Sequence, residues 1–466
     1  MAPPILLEAQ VAAQSMPLYD VRLGTTPLLI DQATVSWKCS TSKATWQEKG
    51  VLTTFPWNGD KGRYVDIDNT KTLQQITAWG GCFNEKGWDA MLVLSDAERD
   101  SVMKALFDPN DGLKLNICRT PIGASDYAIS PYSLDDTKDD YSMAQFSIER
   151  DKENVIPYIK AAIAIRPDLK FWGVPWSPPG WMKDTNSLIG GHIKTDGKTM
   201  DALALYLEKY VQAYRKEGIN IFMIMPQNEP TESTGYPSCL WNGIQIHDFI
   251  KNHLSPRFTA DSVDCGIWLG TFTNSDYSYV SPTIDDPDAF SRIEGASFQW
   301  FGDQACARLH KEHPELPLMQ SETVCGDHQN DWGYAESQFD LIKTYLEAGV
   351  SSYMLWNMVL DETGRSTANW KQCSPVVVNK HTRTITYTPQ YYAFKHFSYY
   401  VQPGAHLITL VGNYGDKVAF VNPNGDTILM LENKSGQDLS VSINFNGEEI
   451  NPTLPAHSFN TFVKKH

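Results

Sequence analysis

Residues 219–230 read INIFMIMPQNEP. Ile221 to Met225 is an unbroken apolar run without polar alternation, the pattern of a strand buried on both faces of a parallel sheet. Pro226 and Pro230 end it, and between them stand an amide and a carboxylate, Asn228-Glu229. In a β/α barrel the C-terminal ends of the strands face the active site. A lone Asn-Glu-Pro is more often a solvated turn, so the rest of the chain has to decide.

Seven similar runs flank this one: Ile76–Phe83, Leu115–Arg119, Lys170–Pro175, Gly266–Gly270, Gly295–Trp300, Leu316–Glu322 and Ser352–Met358. Amphipathic stretches lie between them. SDAERDSVMKALF (95–107) opens with Ser95 and Glu98 at capping-box spacing. The stretches at 199–218 and 334–349 end in Gly218 and Gly349, suited to C-caps. Eight strands alternating with helices predict an α/β fold of the (β/α)8 TIM-barrel type over residues 73–398. A doubly wound nucleotide fold fits less well, because WGGCFNEKGWDAM (79–91) lacks G-x-G-x-x-G. Residues 18–72 and 399–466 have another texture, short alternating runs parted by Gly-Asn and Asn-Gly turns. They predict an antiparallel β-sandwich side domain formed from both chain termini.

Composition narrows the function. Among 466 residues, 55 acidic against 39 basic side chains give a net charge of −16, which argues against a nucleic-acid partner and suits a neutral ligand. The 14 Trp and 21 Tyr supply flat faces of the kind that sugars stack on. Eight cysteines stand singly with no Cys-x-x-Cys, so no metal site is expected, and several read as buried thiols. One or two disulfides stay open at this stage. No stretch reaches the length of a membrane span. MAPPILLEAQVAAQ is not an intact signal peptide; a secreted or periplasmic protein whose signal has been removed is the expectation, with a cytoplasmic one as the alternative. A monomer is expected. The sequon Asn433-Lys434-Ser435 carries little weight.

On the predicted barrel, polar residues crowd one rim. Strand 1 leads to Asn84-Glu85, strand 2 to Arg119 and Asp126, and strand 3 to PWSPPGWMK with Trp176 and Trp181. Strand 4 delivers Asn228-Glu229, strand 7 Glu322, and strand 8 Trp356-Asn357. Glu229 and Glu322 lie about three βα units apart at roughly 30 residues each, so they converge across the mouth. Two carboxyl groups flanking a sugar bond, one protonated and one ionised, are what glycoside hydrolysis needs.

The motifs WGGCFNE, RTPIGASDY, PWSPPGWMK, PQNEP, QSETVCG and YMLWNMVLDE, in this order from about Ile76 onward, resemble glycoside hydrolase family 30. That family holds acid β-glucosidases (glucosylceramidases) and microbial endo-β-1,6-glucanases. The resemblance implies a retaining enzyme with no cofactor, on a barrel with an attached sandwich. It implies Glu229 as acid/base, Glu322 as nucleophile, Asn228 on the sugar 2-hydroxyl, and Arg119 beside the nucleophile. Asp126, Trp176 and Trp356 are implied around the terminal glucose. Two departures stand out. Gln299-Trp300-Phe301 replaces the His-x-Tyr of many members, and Gln299 is expected to take over the lost tyrosine's bond to the nucleophile. Cys373 stands where relatives are expected to carry Asn. The motifs around strands 6 to 8 lean toward endo-β-1,6-glucanase. Glucosylceramidase, exo-β-glucosidase or β-xylosidase action is the alternative, and a sugar-binding protein without catalysis a third reading.

Overall fold

The computed structural model describes residues 33–59 and 62–466. Eight parallel strands close into a barrel: β1 (Ala78–Cys82), β2 (Ile117–Ile122), β3 (Lys170–Pro175), β4 (Ile221–Ile224), β5 (Gly266–Phe272), β6 (Gly295–Gln299), β7 (Leu318–Glu322) and β8 (Ser352–Asn357). Each pairs with its sequential neighbours, and β8 returns to β1. The strands are buried along nearly their whole length and mostly apolar because both faces are covered. Outward side chains such as Trp79 and Phe171 pack against the helices, while Trp172, Met223, Met319 and Met354 fill the interior. Packing is tightest at Gly80, where a Cβ would lie 2.1 Å from the Ile117 carbonyl oxygen and 2.4 Å from Met354 Sδ. Only glycine fits there.

The first helix begins at its expected capping box, and the stretches expected from 199 and 334 begin two residues earlier, at Gly197 and Trp332. Ser95 caps Asp96–Phe107 in a reciprocal capping box with Glu98. Asp196 and Asp331 cap Gly197–Lys216 and Trp332–Glu347, and Gly218 and Gly349 follow these helices with φ of +81° and +99°.

The side domain joins both ends of the described chain in one ten-stranded sheet. Thr34–Thr41 pairs with Ser458–Lys464, and Tyr64–Ile76 lies between Ala405–Val411 and Ser442–Phe445. The sheet encloses its own core, including Val35, Trp37, Ile67, Ile443 and Phe462. Residues 18–32 of the expected N-terminal segment lie outside the described residues. Ile76, expected in the first barrel strand, instead pairs with Ala405 in the side sheet, so that barrel strand starts at Ala78. The last barrel helix, Pro389–Ser398, locks the two parts together through His396, whose ring nitrogens meet Thr461 and Ser40 at 2.7 and 2.9 Å. Burial pulls that imidazole down to about 3, so it bridges as a neutral group.

All eight cysteines are free thiols. Asn433 of the sequon is 1% exposed and donates to the carbonyls of Gln437, Leu454 and Pro455, a structural role that leaves no amide for a glycan. No helix among the described residues is long and apolar enough to cross a membrane.

Candidate active site

Arg119 organises the C-terminal mouth of the barrel. It sits in the middle of β2, fully buried, with its guanidinium 4.2 Å from the Trp176 ring centroid and 5.2 and 5.4 Å from those of Trp172 and Trp356. Three indoles strip it of water and hold it by cation–π attraction. One terminal nitrogen donates to Glu322 Oε2 at 2.6 Å, and the other donates to Asn228 Oδ1. Nε has no partner. Glu322 closes β7, and Asn228 follows β4 with its own nitrogen bonded to the Pro175 carbonyl at 2.8 Å.

Glu229 is placed by an unusual backbone. Its φ of 48° is left-handed, a conformation few non-glycine residues adopt, and the Glu229 N–H donates to Thr271 Oγ1 at 3.3 Å. Its carboxyl group meets Gln299 Nε2 at 2.8 Å on Oε1 and the Tyr236 hydroxyl at 3.1 Å on Oε2. Among the described residues, no lysine or arginine touches it. Burial, and after it the neighbouring charge of Glu322, push Glu229 well above the usual carboxylate range. Glu322 is raised by burial too, but Arg119's charge and hydrogen bond oppose this. Of the pair, Glu322 therefore ionises first and Glu229 keeps its proton. Asp126, with Oδ1 unpartnered, is pushed up to about 8 by burial and the Glu322 charge, so it is also neutral at pH 7. Three carboxyl groups share one cation, and Glu322 has it.

Every residue singled out at the rim is buried there: Arg119, Asp126, Trp176, Asn228, Glu229, Gln299, Glu322 and Trp356 are each 6% exposed or less. Four expectations change in detail. Gln299 bonds Glu229, whereas the contact to Glu322 comes from Trp300 Nε1, at 3.3 Å from Oε1. The chain leaves β6 with φ of 52° at Trp300, which swings the indole toward β7. Trp181 is a plug, its Nε1 on the Asp135 carbonyl at 3.1 Å and its ring edge-on to Tyr141. Asn84 caps the helix Glu85–Met91, and Glu85 pairs with Arg150 at 3.0 Å, so neither serves the mouth as a free polar group. Cys373 donates to Gln329 Oε1 at 3.1 Å, holding a loop.

A cleft of about 320 Å³ runs outward from Glu229, walled by Tyr236, Trp300, Phe301 and Trp370, with Glu232, Thr234, Thr273 and Asn274 as its polar groups. Tyr236, Thr271 and Trp370 carry no motif signal; they stand in loops or late in strands, and only the closed barrel brings them to Glu229.

Residues 76–401 match the family model described as the glycosyl hydrolase family 30 TIM-barrel domain, and residues 404–462 match the glycosyl hydrolase family 30 beta sandwich domain. Putative glucosylceramidase 2 of Caenorhabditis elegans is 28% identical over 400 residues, 80% of this chain and 77% of the relative. Endo-1,6-beta-D-glucanase neg1 of Aspergillus fumigatus is 24% identical over 469 residues, 92% of this chain and 94% of the relative. Among solved structures, SrfJ from Salmonella typhimurium superposes with a TM-score of 0.86 at 23% identity, covering 93% of this chain and all of that one. The endo-beta1,6-glucanase BT3312 gives 0.80 at 22% identity, over 93% of this chain and 99% of that one.

Proposed function

We propose, from the premise that the chain belongs to glycosyl hydrolase family 30, that it cleaves β-glucosidic bonds with retention, using Glu322 as nucleophile and Glu229 as acid/base. One observation carries the role assignment. Arg119 pairs with Glu322 at 2.6 Å, while Glu229 has only neutral partners. The ionised Glu322 attacks the anomeric carbon as Glu229 passes its proton to the departing oxygen. The glycosyl ester then formed on Glu322 carries no charge, so one cause of Glu229's raised titration disappears. Glu229, now ionised, takes a proton from the incoming water, and Glu322 leaves as the carboxylate. The Asn228 side chain accepts only through Oδ1, and its amide nitrogen is the donor for a sugar hydroxyl.

For the substrate we favour a β-1,6-glucan cut internally. The cleft beyond Glu229 combines aromatic faces for a second sugar with Glu232, Thr234, Thr273 and Asn274 for its hydroxyls. Glucosylceramide is the second reading, supported by the exposure of Phe301 (71%) and Trp370 (42%) at the cleft's outer edge. Digests of pustulan, laminarin, xylan and glucosylceramide separate the two. An oligosaccharide ladder from pustulan supports the first, and glucose released from glucosylceramide alone supports the second. Proton NMR of the first-formed product tests the stereochemistry; an α-anomer would overturn the retaining mechanism.

A further inference from the structure

The hydrogen-bond directions around Glu229 form a chain whose first link cannot be reversed. Arg119 is donor only. It therefore fixes Asn228 Oδ1 as an acceptor, and Thr271 Oγ1 donates to the same oxygen at 2.9 Å. Gln299 stands 3.5 Å from that oxygen, so its nearer atom must be Nε2; the reversed amide would set two carbonyl oxygens against each other. Gln299 Oε1 then accepts from Ser321 Oγ at 3.2 Å, as the same orientation requires. With Nε2 donating to Glu229 Oε1 at 2.8 Å, that oxygen is an acceptor in both protonation states.

We infer that the acid proton of Glu229 resides on Oε2, and that Tyr236 and Gln299 are positioning residues that hold it toward the aromatic cleft. This rests on Glu229 being the acid/base. Tyr236 Oη lies 3.1 Å from Oε2, and its ring tilts against Trp370 with centroids 5.4 Å apart, so the hydroxyl is fixed at the cleft wall. Before reaction, Glu229 donates from Oε2 to the Tyr236 oxygen. The glycosidic oxygen then takes that proton as its bond to the anomeric carbon breaks and the bond from Glu322 forms. The carboxylate left behind accepts the Tyr236 hydroxyl, which has turned from acceptor to donor. Burial and the nearby acids hold the Tyr236 phenol far above its ordinary value, so it keeps its hydrogen throughout.

The test compares kcat/KM on 2,4-dinitrophenyl β-glucoside, which needs little protonation, with that on phenyl β-glucoside, which needs it fully. Tyr236→Phe is expected to widen this ratio about tenfold. It should also move the basic limb of the phenyl profile upward, because the lost bond is stronger to the anion. Gln299→Met, which leaves Tyr236 in place, frees the proton to settle on either oxygen and is expected to widen the ratio as well. Equal losses on both substrates with an unmoved limb would mean that Tyr236 only walls the cleft, and would overturn the inference. Glu229→Ala guards the premise. A wide ratio with azide rescue on the activated substrate supports the acid/base role, whatever Tyr236 does, and its absence would overturn the role itself.

Discussion

The barrel mouth and the seam between barrel and side sheet each bury a glutamate, and they treat its charge in opposite ways. At the mouth, Glu322 receives a short bond from a guanidinium that three indoles hold in place. At the seam, Glu432 is 1% exposed and neither of its oxygens has a hydrogen bond among the described residues. Its nearest cation, Lys434, stands 3.4 Å away and also serves Asp340 and Asp416. Burial therefore carries Glu432 up to about 9, and it stays protonated at neutral pH. Depth of burial is similar in the two places. What separates an ionised glutamate from a neutral one is a cation dedicated to it in bonding geometry.

Glu322→Gln should break the mouth outright, lowering turnover on an activated aryl glucoside by on the order of 10⁴-fold or more. A loss within tenfold would place the nucleophile elsewhere. Glu229→Gln should follow, costing about 10² to 10⁴-fold on phenyl glucoside and far less on the dinitrophenyl substrate; equal losses would erase the distinction between the two acids. Arg119→Met converts the mouth into a version of the seam. It should cost roughly 3–5 kcal/mol of stability at pH 7, measured by urea melts, and shift the acid limb of the activity profile to higher pH as Glu322 becomes harder to ionise. An unmoved limb would show that Arg119 does not set the Glu322 charge.

The last prediction concerns the seam. Between the unfolded value near 4.3 and about 9, the folded protein holds a proton on Glu432 that the unfolded chain has released. Its contribution to stability is thus intact below the unfolded value and is lost as pH rises through that window. Glu432→Gln should flatten part of the decline in Tm between pH 5 and 9. Parallel curves for the two proteins would mean that Glu432 carries none of it.

The barrel was legible because burial on both faces writes itself as apolar runs; the run at Lys170–Pro175 coincides with its strand. The two glutamates were legible because each ends such a run. Contacts set by single backbone turns were not. The left-handed φ at Trp300 decides that the indole meets Glu322 while Gln299 meets Glu229, and nothing in the letters Gln-Trp-Phe encodes it. Tyr236 was equally silent. It lies seven positions beyond Glu229 in an irregular loop, and its meaning depends on where that loop folds back. Trp176 and Trp181, alike in sequence, part company because one lies beneath the guanidinium and the other beneath a loop carbonyl.

The sheet shared by both chain ends also sets a timetable for biosynthesis. Gln75 and Gly404, neighbours across that sheet, are separated by 329 positions. At about 5–20 residues per second on the ribosome, the strand Tyr64–Ile76 waits on the order of tens of seconds for its partners. Throughout that interval its ladder groups and apolar face have nothing to pair with, while the barrel closes beside it. The nascent chain is thus most prone to association with other chains before the strands from Ala405 onward emerge, and a holdase acting on the strand Tyr64–Ile76 would raise the yield of folded protein more than one acting on the barrel.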